Sequence, residues 1–164
     1  MNNADPVAQN FGPLAWGIKP SFLSYLQGLE DLLVMANDGA TASEHGDVFN
    51  FPFAARTDLP EGGMRLEFTG DLRLKAHGGM LLVIFMNPWL TLAPEGAELS
   101  IVDLMAWPDT SRRETIAVSS EGYSYAGNGD IEVPLQLTAN GVETFNNVYP
   151  QGSMLAPARV QNIG

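Results

Sequence analysis

The sequence predicts a mainly β fold, an antiparallel β-sandwich or open barrel carrying one or two short α-helices. Three observations lead there. Met64 to His77 alternate apolar and polar residues over fourteen positions, the period of a half-buried strand. Further short apolar runs follow at intervals broken by turn signals such as Pro94-Glu-Gly, Trp107-Pro-Asp and Gly127-Asn-Gly. Glycine and proline, 17 and 11 of 164 residues, exceed the ~12% of average proteins and fall largely between those runs.

The exception comes first along the chain. Pro20 suits the first turn of a helix and Gly28 suits its stop, which brackets about two turns. On such a helix Phe22 and Leu26 share one face, and Ser21 and Tyr25 share another. The alternating stretch is then either one strand or two strands joined at a Gly70 bulge, with His77 ending the polar face. After Gly78-Gly79, the run MLLVIFM reads as a strand covered on both faces, closed by Asn87-Pro88, so that the two segments make a hairpin. Trp89–Leu92, Ala97–Trp107, Thr115–Ser119 and Asp130–Leu137 continue the strand pattern, with Pro134 marking an edge strand or a bulge. A second helical turn is expected near Glu143–Asn147, capped by Thr138, Asn140 or Gly141. Trp16, Trp89 and Trp107 read as core or core-edge residues.

Length and composition bound the function. A chain of 164 residues with 45% apolar residues makes one domain with an ordinary core. Eight scattered cations against 19 acidic residues give a net charge of −11, which supplies no basic stripe for nucleic acid. The absence of cysteine removes disulfides, thiolate metal sites and cysteine nucleophiles. No secretory signal is visible at the start, and the longest apolar run, Met80 to Met86, is far short of the ~20 residues of a spanning helix. There is no nucleophile elbow, phosphate loop or zinc-protease motif, and no distal acid–base set, so the chain reads as non-enzymatic.

Leu14-Ala-Trp-Gly-Ile-Lys-Pro-Ser-Phe-Leu-Ser-Tyr25 followed by Gly28 resembles the opening signature of the HtaA family of bacterial haem-binding domains. Phe68-Thr-Gly, Ala76-His77-Gly-Gly-Met-Leu and Asn87-Pro-Trp-Leu resemble its hairpin, and Leu137-Thr-Ala-Asn-Gly, Phe145-Asn-Asn-Val-Tyr149-Pro and Gly152 its closing segment. The resemblance covers roughly residues 14–157, leaving residues 1–13 and 158–164 as expected tails.

The resemblance implies ferric haem b held by a tyrosine phenolate. Carried over by position, Tyr25 is the axial ligand, His77 its hydrogen-bond partner and Ser21 a propionate contact. Phe145 and Tyr149, which match the closing segment, become walls of the porphyrin, and Lys19, a lysine at the helix start, is a further candidate propionate partner. His45, in a polar loop, is the candidate second axial ligand. The implied partners are haem and other haem carriers or a haem transporter, with a homodimer left open. The implied location is the cell surface or the secreted space, and the missing leader makes the cytoplasm the alternative.

Taken without the resemblance, each residue has a plainer reading. Tyr25 would be a boundary tyrosine, His77 an exposed turn residue and Ser21 a helix cap. Lys19 would be a solvated cation, and Phe145 and Tyr149 packing residues. The rival function is an adhesion or protein-interaction domain that keeps the fold without the cofactor. A net charge of −11 implies that haem would be held by ring burial and the iron–oxygen bond rather than by long-range attraction.

Overall fold

The structure, a computed structural model, describes residues 11–119 and 121–163. In chain order, β1 (Phe11–Trp16) precedes α1 (Pro20–Gln27), β2 (Leu33–Asn37), β3 (Thr41–Ala42), β4 (Phe49–Phe51), β5 (Phe53–Asp58), β6 (Met64–Phe68) and β7 (Asp71–Ala76). A 3₁₀ turn, His77–Gly79, leads into β8 (Leu81–Met86), β9 (Trp89–Ala93) and β10 (Gly96–Val102). After a second 3₁₀ turn, Leu104–Ala106, come β11 (Arg113–Ser119), β12 (Ser124–Tyr125), β13 (Ile131–Leu137), α2 (Ala139–Thr144) and β14 (Met154–Asn162).

Among the described residues eleven strands form one sheet in the order β3-β4-β1-β14-β13-β11-β10-β9-β6-β5, with β12 beside β13, and three form a second in the order β2-β7-β8. The long sheet begins at β3 and ends at β5 without closing, so the architecture is a sandwich and not a closed barrel. The two sheets meet through aromatic rings: Trp16 of β1 lies 5.2 Å from Phe85 of β8, edge to face. No helix among the described residues is long and apolar enough to cross a membrane.

The expected hairpin of 64–77 against 80–86 pairs only from Asp71 onward, and it continues through β9 as one ribbon shared between the sheets. Its lower half, β6 with β9, belongs to the long sheet, and its upper half, β7 with β8, to the short one. The ribbon turns at Gly70 (φ 137) and Asn87 (φ 48). There the Asn87 N–H donates to the Gly70 carbonyl at 2.8 Å and the Gly70 N–H to Asn87 Oδ1 at 3.0 Å. A Cβ at position 70 would stand 2.8 Å from the Ala40 Cβ and 2.9 Å from a Phe51 ring carbon, in a backbone conformation that side chains resist. Gly70→Ala is therefore expected to cost about 1–3 kcal/mol, read as a lower urea midpoint. An unchanged midpoint would mean the corner has slack.

Several expectations are corrected. The run 80–86 is not covered on both faces. Leu81, Val83 and Phe85 are buried, whereas Leu82 is 41% exposed and Ile84 partly so, because β8 belongs to a short sheet that packs one face inward. The strand expected over Ala97–Trp107 stops at Val102, where Asp103 caps the second 3₁₀ turn by accepting the Met105 N–H, and Trp107 beyond it is 57% exposed rather than core. Trp89 is half-buried between the Arg65 and Arg113 guanidiniums, 4.4 and 3.9 Å from its ring. Trp16 is core, as expected.

The second helix starts earlier than expected. Thr138 caps it by accepting the Gly141 N–H at 3.0 Å, and left-handed Asn146 and Asn147 follow its end. Pro134 lies inside the sheet, at a bulge in the β13–β14 register between Val133 and Leu135. On its other side β13 passes from pairing β12 at Ile131–Glu132 to pairing β11 at Gln136–Leu137, so the missing N–H falls between the two ladders. At the ends, Phe11–Pro13 belong to β1 and Ala158–Asn162 to β14, because these two strands pair with each other. The expected tails are shorter by those residues, and 1–10 lie outside the described residues.

Candidate functional site

Helix α1 follows the sequence logic closely. Pro20 occupies its first turn, and Phe22, Leu23 and Leu26 are buried beneath it, which turns Ser21 and Tyr25 outward. Lys19 stands at the N-cap without a capping side chain, so Ser21 is not the cap. Its hydroxyl lies beside the Tyr149 phenol instead, where it favours the ionised form of that group. Burial pushes that phenol above its usual ionisation range, which keeps Tyr149 neutral.

Lys19, Ser21, Tyr25, His77 and Tyr149 gather at one end of the sandwich. The Tyr25 Oη and His77 Nε2 are 2.7 Å apart, and the Tyr25 side of this pair is open, with the residue 50% exposed. The hydroxyl can donate to Nε2 or accept from it, according to which ring nitrogen carries the proton. The Lys19 ammonium lies 4.9 Å over the Tyr149 ring and donates to the Met154 carbonyl at 3.0 Å, keeping two of its three hydrogens for another acceptor.

Phe145 does not join this surface. It is fully buried, 5.6 Å from Phe85, 5.7 Å from Phe22 and 6.2 Å from Tyr149 between ring centres. A side chain with no exposed area cannot wall a surface ligand, so its place is under the site, where it supports Phe22 and Tyr149. A continuous line of rings thus runs from Trp16 in the core through Phe85, Phe145 and Phe22 to Tyr149. Each such pair adds roughly 0.5–1.5 kcal/mol beyond area burial.

His45 is exposed in the β3–β4 loop, where the Gln27 side chain donates to its carbonyl at 3.1 Å. Gln27 points roughly 160° around α1 from Tyr25, so the loop flanks a different face of the helix from the phenol. It does not bring the imidazole to Tyr25.

Asp31 is a participant that sequence reading missed. Its Oδ2 accepts the Gly78 N–H at 2.8 Å, and the Gly78 and His77 amides together hold its carboxyl below the usual carboxylate range. The sequence separation is 47 residues, and an acidic residue in a turn carries no signal of so distant a partner. Among the described residues no group of three or more acidic or histidine side chains could hold a bare metal ion.

A family model described as Htaa matches residues 12–161. In three dimensions the chain is similar to the C-terminal domain of HtaA from Corynebacterium glutamicum, with 18% identity and a TM-score of 0.74, over 95% of this chain and 98% of that one. The N-terminal domain of the same protein aligns with 21% identity and a TM-score of 0.71 over 95% and 98% of the two chains. Heme binding protein HtaB from Corynebacterium glutamicum aligns with 17% identity and a TM-score of 0.65 over 93% of each. No curated protein sequence matches the chain. With the match running from the first described strand to the last, the chain belongs to the HtaA family.

Proposed function

We propose that this protein binds ferric haem b through the Tyr25 phenolate, with His77 as the partner of that oxygen, and relays it in iron acquisition at the cell surface. The observation that carries the reading is the 2.7 Å contact between an outward-facing phenol and an imidazole nitrogen. Family membership and the name of the HtaB relative support the cofactor class.

The donor set suits the group chemically. A free phenol ionises near pH 10, so coordination at neutral pH needs help in losing its proton. Ferric iron supplies positive charge for that, and tyrosinate is an attested axial ligand. His77 Nε2 is placed to accept the departing proton and then to donate a hydrogen bond back to the phenolate oxygen. Lys19 offers an ammonium for a propionate, and the Ser21 and Tyr149 hydroxyls offer neutral hydrogen bonds beside it. Tyr149 can also present part of its ring, whereas Phe145 stays beneath as support. An anionic oxygen ligand favours the ferric over the ferrous state, which fits carriage and transfer rather than turnover. Another haem carrier or a transporter is the proposed recipient.

Titration of the purified protein with hemin tests the reading. One hemin per chain with a high-spin ferric tyrosinate spectrum is expected, and spectra indistinguishable from free hemin would reject it. His77→Ala is expected to keep binding but speed hemin transfer to an excess of apomyoglobin by roughly 10- to 100-fold, the usual scale for groups that hold a metal ligand without touching the metal. Wild-type transfer kinetics in that variant would remove His77 from the mechanism.

A further inference from the structure

Asp31 sits in the turn between α1 and β2, outside the segments that carry the family resemblance. Across from it, His77 (φ 55) and Gly78 (φ 66) are both left-handed, and their amides face its carboxylate. Successive amides in a turn of this kind form a concavity that favours an anion. A residue with a side chain resists the left-handed conformation, so something must hold His77 there. Asp31 is the group bonded to that turn from the segment that leaves α1, the helix bearing Tyr25.

We infer that Asp31 is a positioning residue: its carboxylate locks the left-handed His77–Gly78 turn and so aims the imidazole at the Tyr25 oxygen. The consequence for haem rests on the function proposed above. The geometric part stands on the ligand-free protein.

The test has one arm for each. In the first, the His77 ring resonances are followed by NMR in ligand-free wild type, Tyr25→Phe, Asp31→Ala and Asp31→Asn. Asp31→Ala is expected to move those signals to the positions that Tyr25→Phe gives them, since both variants break the same bond. Asp31→Asn is expected to move them part of the way, because its amide keeps one acceptor oxygen but turns an NH₂ toward the two backbone donors. In the second arm, hemin release from Asp31→Ala is expected to rise about tenfold, the lower end for groups behind a metal ligand. Adding Asp31→Ala to His77→Ala should then produce no further increase, because both act through one imidazole.

Wild-type ring signals in Asp31→Ala would overturn the inference, as would a double variant whose release rate is the product of the two single effects. Should Asp31→Ala fail to fold, wild-type signals in Asp31→Asn would overturn it equally. A wild-type protein that does not bind hemin would reject the haem reading, and the ring signals would still decide the role of Asp31.

Discussion

Replacing Tyr25 by phenylalanine is expected to weaken ferric haem binding by at least about 100-fold, since even residues that only orient a metal ligand cost 10- to 100-fold when removed. The substitution deletes one oxygen and keeps the ring. The residue is half exposed, and its hydroxyl makes one hydrogen bond, to His77, worth about 1 kcal/mol in net stability. The variant should therefore unfold near the wild-type midpoint while losing the tyrosinate charge-transfer bands. Equal titrations of the two proteins with hemin would show that the iron is held elsewhere.

Phenylalanine 145 gives the largest expected effect on the fold. Truncating a fully buried ring that touches Phe22, Phe85 and Tyr149 should cost about 3–5 kcal/mol in urea unfolding. Among the molecules that remain folded, Phe145→Ala should still bind hemin with the wild-type spectrum, because no part of the ring reaches the surface. A wall residue would behave in the opposite way, with little loss of stability and a large loss of affinity. The two measurements together separate support from contact.

Much of this site could be read from the chain before its coordinates. The pairing of Ser21 with Tyr25 on one helix face follows from helical spacing and from Pro20 at the helix start. The placement of His77 at the end of a polar strand face follows from period-two alternation. Their meeting did not follow from local pattern, because it depends on how α1 packs on the short sheet, and the family resemblance supplied that step.

Where local pattern misled, tertiary partners were the reason. The apolar run at 80–86 cannot reveal that its sheet packs only one face inward, and Trp107 follows a turn set by the Asp103 cap rather than a strand. Phe145 and Tyr149 lie four residues apart with similar chemistry, yet one is core and the other borders the site. Only the ring contacts beneath them distinguish the two. Asp31 had no readable signal, since its partner amides belong to backbone far along the chain.

The corner at Gly70 and Asn87 bears on how firmly the phenol–imidazole contact is kept. From that bend to the tip that carries His77, the ribbon is six residues of strand, about 20 Å, with β7 paired to β2 on one side and to β8 on the other. Tilting its root by about 3° would displace the far end by about 1 Å, enough to stretch a 2.7 Å bond past hydrogen-bonding range. Rigidity at a distant glycine therefore adds to the alignment that the β2 pairing and the Asp31 contact give at the rim, and a substitution far from the Tyr25 hydroxyl can detune it.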